Sequence, residues 1–299
     1  MRILVTGATG LVGCAIAERL HLAGHQVISL ARLRSAALAR DMRQIAAEIA
    51  SSELLDTIQR QVDPCEVIVH AAADRNPCIS APWTSRTNCE GTHRILELTS
   101  RWKSKILIHT SGVAVIGQPA HTPVTEKHPC LPANPYLAGK LYSEHLTNMV
   151  QGWGGRGISL RITAPIGPRM PSGRIVPQFL LSAAKGIPLR VNGTGSRRQD
   201  YVDVRDIASA VLLCLDREVS GIFNIGSGKS ISNTDLARLC IEMSRSSSSL
   251  EFTGVPDPDD QVNWDVSIDK ARQELGYVPQ TPLEQSLSDI AAALSSNPV

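Results

Sequence analysis

Hydrophobic residues up to Pro165 fall into short continuous runs separated by segments with helical character. The runs are rich in valine, isoleucine and leucine, which is typical of strands buried on both faces of a parallel sheet. They cover residues 3–5, 26–32, 44–49, 66–73, 105–111 and 158–162. Helices are predicted over 11–20, 53–61, 87–98 and from 136 to the glycines at 152–155. This alternation predicts an α/β fold with a doubly wound parallel sheet.

The composition of the chain changes at Pro165, after which prolines and glycines recur until Pro177. We therefore expect a first domain over 1–166 and a smaller α/β domain, which would bind substrate, over 167–299. The segment 202–226 is expected to return to the first domain. It contains a predicted helix over 206–215, with Asp206 as its cap, and a strand over 221–226. The serines at 244–249 predict a loop.

A turn with three glycines links the first strand to the first helix. Gly7 permits the tight turn, Gly10 lets a pyrophosphate approach the backbone, and Gly13 lets the helix pack closely on the strand. The helix N-terminus adds amide donors and a positive dipole. This context predicts a dinucleotide-binding, Rossmann-type unit rather than a simple tight turn. The expected contacts are Gly7, Thr9, Gly10, Leu11, Val12 and Gly13.

The end of the second predicted strand indicates which dinucleotide binds. An NAD site usually has an acidic residue there that binds the ribose hydroxyls, but this chain has Ala31, followed by Arg32 and Arg34. Arginines without a carboxylate suit a 2′-phosphate, so NADP is favoured over NAD. The alternative is that both arginines are solvated surface charges.

The composition excludes several other classes of protein. The 299 residues are 42% hydrophobic and 19% charged with a net charge of +2, so no basic surface for nucleic acid is indicated. No apolar run approaches the roughly 18 residues of a membrane span, and no charged leader precedes the first strand, so a cytoplasmic location is expected. The seven scattered cysteines fit reduced thiols, and the eight histidines have no metal-binding spacing.

Tyr136 and Lys140 lie four residues apart on one predicted helix, so their side chains project from the same face. A phenol normally titrates near 10, too high for proton transfer at neutral pH. We expect the ammonium to lower the pKa of the phenol, so that the tyrosine can exchange a proton with a carbonyl or an alcohol during hydride transfer. The lysine could also hold the cofactor ribose.

These motifs resemble those of the extended short-chain dehydrogenases/reductases, also called the NAD-dependent epimerase/dehydratase family. The resemblance extends nearly from end to end. Besides the glycine turn and Tyr136-x-x-x-Lys140, it covers residues 70–73, 87–92, 111, 161–168, 191–195, 200–206, 223–228 and 275–279.

The resemblance implies a role for several residues. Tyr136 would be the general acid/base, Lys140 the ribose anchor, Asn88 a structural helper, and Glu48 a contact of the adenine. It also implies a homodimer formed through the helices that carry Asn88 and Tyr136. Further cofactor contacts are expected at Ala71, Ala72, Ala73, Asn88, Thr110, Tyr136, Lys140 and Pro165.

The chain departs from the family where substrate chemistry is decided. Members usually have a hydroxyl at the position of Gly112, so either Ser111 or Thr110 could bind the substrate carbonyl instead. The dehydratases have Asp-Glu where this chain has Val113 and Ala114. Because neither side chain can move a proton, sugar dehydration is not expected.

The family's diphosphate contacts are also altered. The UDP-hexose 4-epimerases have an asparagine where this chain has Ala164, an arginine where it has Gln199, and a late arginine near 257–260. A different anion site, or a solvated charged face, could be formed by Arg169, Arg174, Arg197 and Arg198. The candidate substrate contacts are Ser111, Gly112, Ala164, Arg174 and Arg198.

Three functions fit these observations. The favoured one is an NADP-dependent oxidoreductase that reduces a keto group on a sugar or nucleotide-sugar, with Tyr136 as proton donor. The second is a nucleotide-sugar epimerase that keeps NAD tightly bound. The third, of a different class, is a non-catalytic NADP sensor, which would have no need for Tyr136 and Lys140.

Overall fold

A computed structural model describes residues 1–36, 38–76, 78 and 82–296. Its strands are β1 (Arg2–Thr6), β2 (Gln26–Ala31), β3 (Arg43–Ala46), β4 (Val67–His70), β5 (Ile106–Gly112), β6 (Arg156–Ile162), β7 (Ala164–Ile166), β8 (Leu189–Val191), β9 (Arg198–Asp203), β10 (Gly221–Ile225), β11 (Ser230–Ser232) and β12 (Leu250–Phe252). Its helices are α1 (Leu11–Leu22), α2 (Leu54–Gln59), α3 (Pro82–Ser85), α4 (Gly91–Trp102), α5 (Pro135–Asn148), α6 (Ile175–Ala184), α7 (Val204–Asp216), α8 (Asn233–Met243) and α9 (Leu283–Ser296).

The central sheet has the strand order β10-β6-β5-β4-β1-β2-β3. Every neighbouring pair in it is parallel. The predicted parallel sheet is therefore confirmed. The third strand is shorter than the predicted 44–49, because the chain turns after Ala46 and Ser51 N–H donates to Glu48 O at 3.0 Å. Glu48 thus lies just beyond the strand, at the edge where the parallel strands end.

Two layers of helices explain why the strands are apolar on both faces. Ile3 and Val5 pack into a core with α1 and α7, whereas Leu4 points to the opposite core, which contains residues of α2, α4 and α5. Alternate side chains of a strand point to opposite faces, so burial of both faces requires an almost continuous apolar run. The carboxyl ends of the strands remain open between the two layers.

The C-terminal part has smaller sheets and a core of its own. The sheets have the orders β11-β9-β7 and β12-β8. Helices α6, α8 and α9 pack around Phe179, Leu236 and Leu287. In contrast, β10 pairs with β6 in the central sheet, and α7 packs against α1.

The predicted cap of the helix after β9 was wrong. Helix α7 begins after Asp203, whose carboxylate accepts a hydrogen bond from Arg205 N–H at 2.8 Å. Asp206 is buried inside the first turn and instead accepts from the backbone N–H groups of Gln280 and Thr281 at 2.8 and 3.1 Å. Asp206 therefore anchors a distant segment of the chain, which local sequence does not reveal.

None of the helices in the described ranges is long and apolar enough to cross a membrane. In the same ranges, no three His, Cys, Asp or Glu side chains are grouped so that they could hold a metal ion.

Candidate active site

A cleft of about 570 Å³ runs along the carboxyl edge of the central sheet. It is bordered by the ends of β1, β2, β4, β5 and β6 and by the first turns of α1 and α5. The candidate residues that line it are Gly7, Thr9, Gly10, Leu11, Val12, Gly13, Arg32, Glu48, Ala71, Ala72, Ala73, Thr110, Ser111, Gly112, Tyr136, Lys140 and Pro165. Within the described part of the chain, four candidates do not line it: Asn88, Ala164, Arg174 and Arg198.

The glycine turn has the shape that a pyrophosphate requires. Gly7 has a φ of +66°, and a Cβ there would lie 2.6 Å from the backbone nitrogen of Ala72. A Cβ on Gly13 would overlap the carbonyl of Gly7, whereas one on Gly10 would meet only Gly7 O at 3.3 Å. Gly7 and Gly13 thus allow close packing, and Gly10 leaves the approach to the turn open.

Amide donors converge at the start of α1. The first helical hydrogen bond runs from Cys14 N–H to Gly10 O at 2.9 Å, so the N–H groups of residues 11–13 precede it and have no partner inside the helix. Free amides together with the positive end of the helix dipole suit a phosphate. The residues present therefore fit a dinucleotide.

The opposite end of the cleft is lined by Ala31, Arg32 and Glu48. Ala31 ends β2 and leaves no carboxylate at that point. The Arg32 side chain is exposed at the rim, and among the residues that the structure describes it has no ion pair. Its guanidinium is therefore available to an anionic ligand.

Tyr136 and Lys140 are positioned by the start of α5. The Asn134 side chain accepts from Leu137 N–H at 3.0 Å, and Pro135 occupies the first helical position, so the helix begins at a defined residue. Both side chains line the cleft one turn apart. The helix lies close to the neighbouring segment 86–90, because a Cβ on Gly139 would be 2.8 Å from the Cβ of Asn88.

The protonation of this pair differs from the sequence-based expectation. Burial raises the pKa of Tyr136, and the cations that oppose this are Arg75 and Arg174 rather than Lys140. Lys140 is itself buried, which lowers its pKa from 10.5 to about 7 despite the nearby Glu144. Its Nζ donates to Thr110 O at 2.6 Å. Tyr136 therefore keeps its proton at neutral pH in the ligand-free cleft.

Asn88 acts one layer behind the cleft. Its side-chain oxygen accepts from Asp74 N–H at 2.8 Å, and its amide donates to Asp74 O at 2.9 Å. Its backbone carbonyl accepts from the hydroxyls of Thr92 and Ser143. Asn88 thus holds the loop after β4 and connects α4 to the helix that carries Tyr136.

The hydroxyls after β5 are not equivalent. Thr110 donates to His70 O at 3.4 Å, and its carbonyl already accepts from Lys140. The Ser111 hydroxyl is buried and has no hydrogen-bond partner within the described ranges. At Gly112, a Cβ would meet nothing nearer than Ile162 O at 3.8 Å. Of the two alternatives, Ser111 therefore has the uncommitted side chain.

Sequence reasoning missed several residues that line the cleft. Asp74, Arg75 and Asn76 follow β4, and Thr163 follows β6. The signal that could have identified them is their place directly after predicted strands, because the carboxyl ends of parallel strands meet at one edge.

The four candidate arginines do not form one anion site. Arg169 pairs with Glu18 at 2.8 Å and also contacts the Cys14 thiol. Arg197 lies 3.2 Å from Asp259, and Arg198 donates to the Ser230 hydroxyl at 3.0 Å. Of these four arginines, only Arg174 is exposed and without an ion pair in the described part of the chain. Its charge partly opposes the rise that burial causes in the pKa of Tyr136.

Comparison with known proteins agrees with this geometry. Residues 3–226 match the model of the NAD dependent epimerase/dehydratase family. The chain is 30% identical to a UDP-glucose 4-epimerase of Mycolicibacterium smegmatis over 96% of both chains. It is 27% identical to UDP-glucuronic acid decarboxylase 1 of Xenopus tropicalis, over 96% of this chain and 70% of the relative.

A solved structure has a similar fold over nearly the whole chain. The UDP-glucose 4-epimerase of Thermotoga maritima, crystallised with UDP-glucose, has a TM-score of 0.91 and 25% identity, and the match covers 99% of both chains. Since the family model covers most of the chain, and the curated relatives are enzymes of the short-chain dehydrogenase/reductase type, the chain belongs to the NAD-dependent epimerase/dehydratase family of extended short-chain dehydrogenases/reductases.

Proposed function

We propose that this protein is an oxidoreductase that reduces a keto group on a sugar or nucleotide-sugar, with Tyr136 as the proton donor. The observation that carries the proposal is that Tyr136 lines the same cleft as the phosphate-binding turn, with its pKa raised by burial. A tyrosine that keeps its proton at neutral pH can donate it to a carbonyl oxygen, which is what reduction requires.

We propose NADP as the cofactor, although the family as a whole is NAD-dependent. Ala31 and Arg32 support this choice, since an unpaired guanidinium without a neighbouring carboxylate suits a 2′-phosphate. The bound cofactor supplies the hydride. In the chain itself, the start of α1 binds the pyrophosphate and Glu48 contacts the adenine.

Lys140 and Ser111 complete the proposed machinery. In its protonated form Lys140 has three N–H donors, and Thr110 O occupies one of them, so two remain for the ribose hydroxyls. The uncommitted Ser111 hydroxyl would donate to the substrate carbonyl and orient it toward Tyr136. Tyr136 then transfers its proton to the carbonyl oxygen as the alcohol forms.

An epimerase is the second candidate, because curated relatives include UDP-glucose 4-epimerases. Such an enzyme would hold NAD through oxidation and re-reduction and show no net redox change. Against it stand Ala164 and Gln199, where the hexose epimerases have an asparagine and an arginine. A non-catalytic sensor is the least supported of the three, because the cleft combines Tyr136 with Lys140.

The test is a panel of keto-sugars and nucleotide keto-sugars, with NADPH consumption followed by absorbance. Mass analysis of molecules that copurify with the protein would identify its cofactor and sugar. We expect net oxidation of NADPH with at least one keto-sugar. Stereochemical inversion of an alcohol without added cofactor would contradict the reductase proposal and favour the epimerase.

We also propose a cytoplasmic homodimer formed through the helices that carry Asn88 and Tyr136, namely the segment 86–90 with α4, and α5. Three apolar side chains on α5 and the turn after it support this, since Tyr142, Met149 and Trp153 are 40%, 56% and 42% exposed. Light scattering during gel filtration tests the dimer, which Met149→Glu should weaken.

A further inference from the structure

Two arginines flank Tyr136 from opposite sides. Arg75 follows β4 and lines the cleft, whereas Arg174 directly precedes α6. In the central sheet β5 lies between β4 and β6, and the chain runs from β6 through β7 to Arg174. The two arginines therefore come from the two sides of β5. Both charges act on the phenol of Tyr136, because both oppose the rise that burial causes in its pKa.

Neither of these arginines has a counter-charge in the described ranges. Both side chains are exposed and have no ion pair there. The carboxylate of Asp74, next to Arg75 in the chain, accepts instead from the Asn76 N–H at 3.2 Å and from the Thr84 hydroxyl at 3.4 Å. The phenol of Tyr136 is thus bordered by two positive charges that the described part of the chain does not neutralise.

A nearby arginine shows the opposite arrangement. Burial raises the pKa of Tyr201 on β9, and Arg197 and Arg174 both oppose this rise, so both lie near the same ring. Arg197 is held by two carboxylates, those of Asp259 at 3.2 Å and Asp257 at 3.7 Å. Arg174 has no such partner within the described residues. On this side of Tyr136 the chain therefore leaves one guanidinium unpaired and neutralises its neighbour.

This distribution of charge suits one compact anionic group. A carboxylate or a phosphate monoester offers several acceptor oxygens to the N–H donors of two guanidiniums. A nucleoside diphosphate has two phosphates, and Asp257 and Asp259 would repel the second. A neutral sugar would leave both cations beside Tyr136, where they favour loss of its proton.

We infer that Arg75 and Arg174 together bind one acidic group, a carboxylate or a phosphate monoester, on the keto-sugar itself, so that the substrate is an acidic keto-sugar without a nucleotide. This inference rests on the proposed reductase function and narrows its substrate class. The buried Ser111 hydroxyl lines the cleft, has no partner in the described ranges, and remains for the keto oxygen. The acidic group neutralises both cations, so Tyr136 keeps its proton until the carbonyl oxygen takes it.

The test compares keto-sugars that differ in their acidic group. The probes are 5-keto-gluconate with its carboxylate, fructose 6-phosphate with its phosphate, fructose with neither, and UDP-glucose with a nucleoside diphosphate. Calorimetric titration of the NADP-saturated protein measures their dissociation constants for the wild type, Arg75→Gln and Arg174→Gln. Arg190→Gln, which removes an exposed arginine paired with Glu251, is the matched control. Thermal unfolding checks that each variant is folded.

We expect 5-keto-gluconate or fructose 6-phosphate to bind at least about tenfold more tightly than fructose and UDP-glucose. The one that binds more tightly identifies the acidic group as a carboxylate or a phosphate. Arg75→Gln and Arg174→Gln should each weaken it about tenfold or more and leave fructose unchanged, while Arg190→Gln binds like the wild type.

Three results would overturn the inference: no preference for either acidic keto-sugar over fructose, tightest binding of UDP-glucose, or unchanged affinity in either cleft variant. The same keto-sugars are also supplied with NADPH, which tests the proposed function separately. Arginine-dependent binding of an acidic keto-sugar that is not reduced would support the anion site and contradict the reductase. Reduction of a keto-sugar that does not depend on Arg75 and Arg174 would support the reductase and overturn the inference alone.

Discussion

The cleft and the loops of the C-terminal part differ in how their polar side chains are paired. At the cleft, the hydroxyls of Ser111 and Thr163 and the guanidinium of Arg32 have no protein partner in the described ranges. In the C-terminal loops, Arg197 pairs with Asp257 and Asp259 across a stretch of 60 residues.

The C-terminal pairing extends to Gln199 and Asp200, which follow Arg197 closely in the chain. In the amide orientation that satisfies both side chains, Gln199 Oε1 accepts from Arg197 at 3.0 Å. The carboxylate of Asp200 is buried and accepts from Ser227 and Gly228. The number of arginines in a segment therefore does not locate an anion site, because arginines that hold the fold together already have partners.

The largest effect should come from removing the proton of Tyr136. Tyr136→Phe keeps the ring, so we expect turnover to fall by roughly two to four orders of magnitude while cofactor affinity barely changes. Steady-state kinetics and cofactor titration measure the two quantities. Tyr142→Phe, an exposed tyrosine on the same helix, is the control. Near-normal turnover of Tyr136→Phe would contradict the proposal that Tyr136 is the proton donor.

Lys140→Met should weaken cofactor binding and at the same time stabilise the cofactor-free protein. It removes the proposed ribose anchor, so we expect cofactor affinity to fall at least about tenfold. Without cofactor, the variant should unfold at higher denaturant than the wild type at pH 7, because it lacks a buried base whose pKa is lowered to about 7.

The stability difference between Lys140→Met and the wild type should depend on pH in a defined direction. Between pH 7 and 10.5 the unfolded wild type binds a proton that the folded state does not, so wild-type stability rises with pH in this window. The advantage of Lys140→Met should therefore be largest at and below pH 7 and shrink toward pH 10.5. Urea unfolding at several pH values measures it, and a constant difference would contradict the low pKa of Lys140.

Arg32→Ala tests whether the unpaired guanidinium binds the 2′-phosphate. One charge-assisted contact contributes about 1.5–3 kcal/mol, so NADPH affinity should fall by roughly ten- to a hundredfold while NADH affinity stays constant. Arg190→Ala, which removes an arginine paired with Glu251 on the surface, is the matched control. Equal affinity of the wild type for both cofactors, or tighter binding of NADH, would refute this interpretation.

The smallest effects should distinguish the two kinds of arginine directly. Arg197→Ala should lower the free energy of unfolding by up to about 1 kcal/mol, as expected for a partly exposed ion pair, and leave KM unchanged. Arg174→Ala should leave the free energy of unfolding unchanged and should change KM. The reason is that Arg174 has no ion pair in the described ranges and its charge acts on Tyr136. Denaturant unfolding and steady-state kinetics provide both readouts. A change in KM with Arg197→Ala would contradict the view that the paired arginines only stabilise the fold.

The central sheet and the glycine turn of the cleft follow from local patterns in the sequence. The six strands predicted before Pro165 all lie in that sheet, as does the strand predicted over 221–226, since apolar runs buried on both faces are a local pattern. The turn from Gly7 to Gly13 and the Tyr136–Lys140 spacing are local as well, because they depend on backbone conformation and on one helical turn.

Which polar side chains are paired and which are not depends on long-range packing. The anchoring of residues 280 and 281 by Asp206 and the partners of Arg197 depend on segments far away in the chain. The raised pKa of Tyr136 likewise arises from burial, and the cations that partly oppose this rise are Arg75 and Arg174 rather than its neighbour Lys140. Burial and charge act through space, so a pattern read along the chain determines where a side chain projects but not what surrounds it.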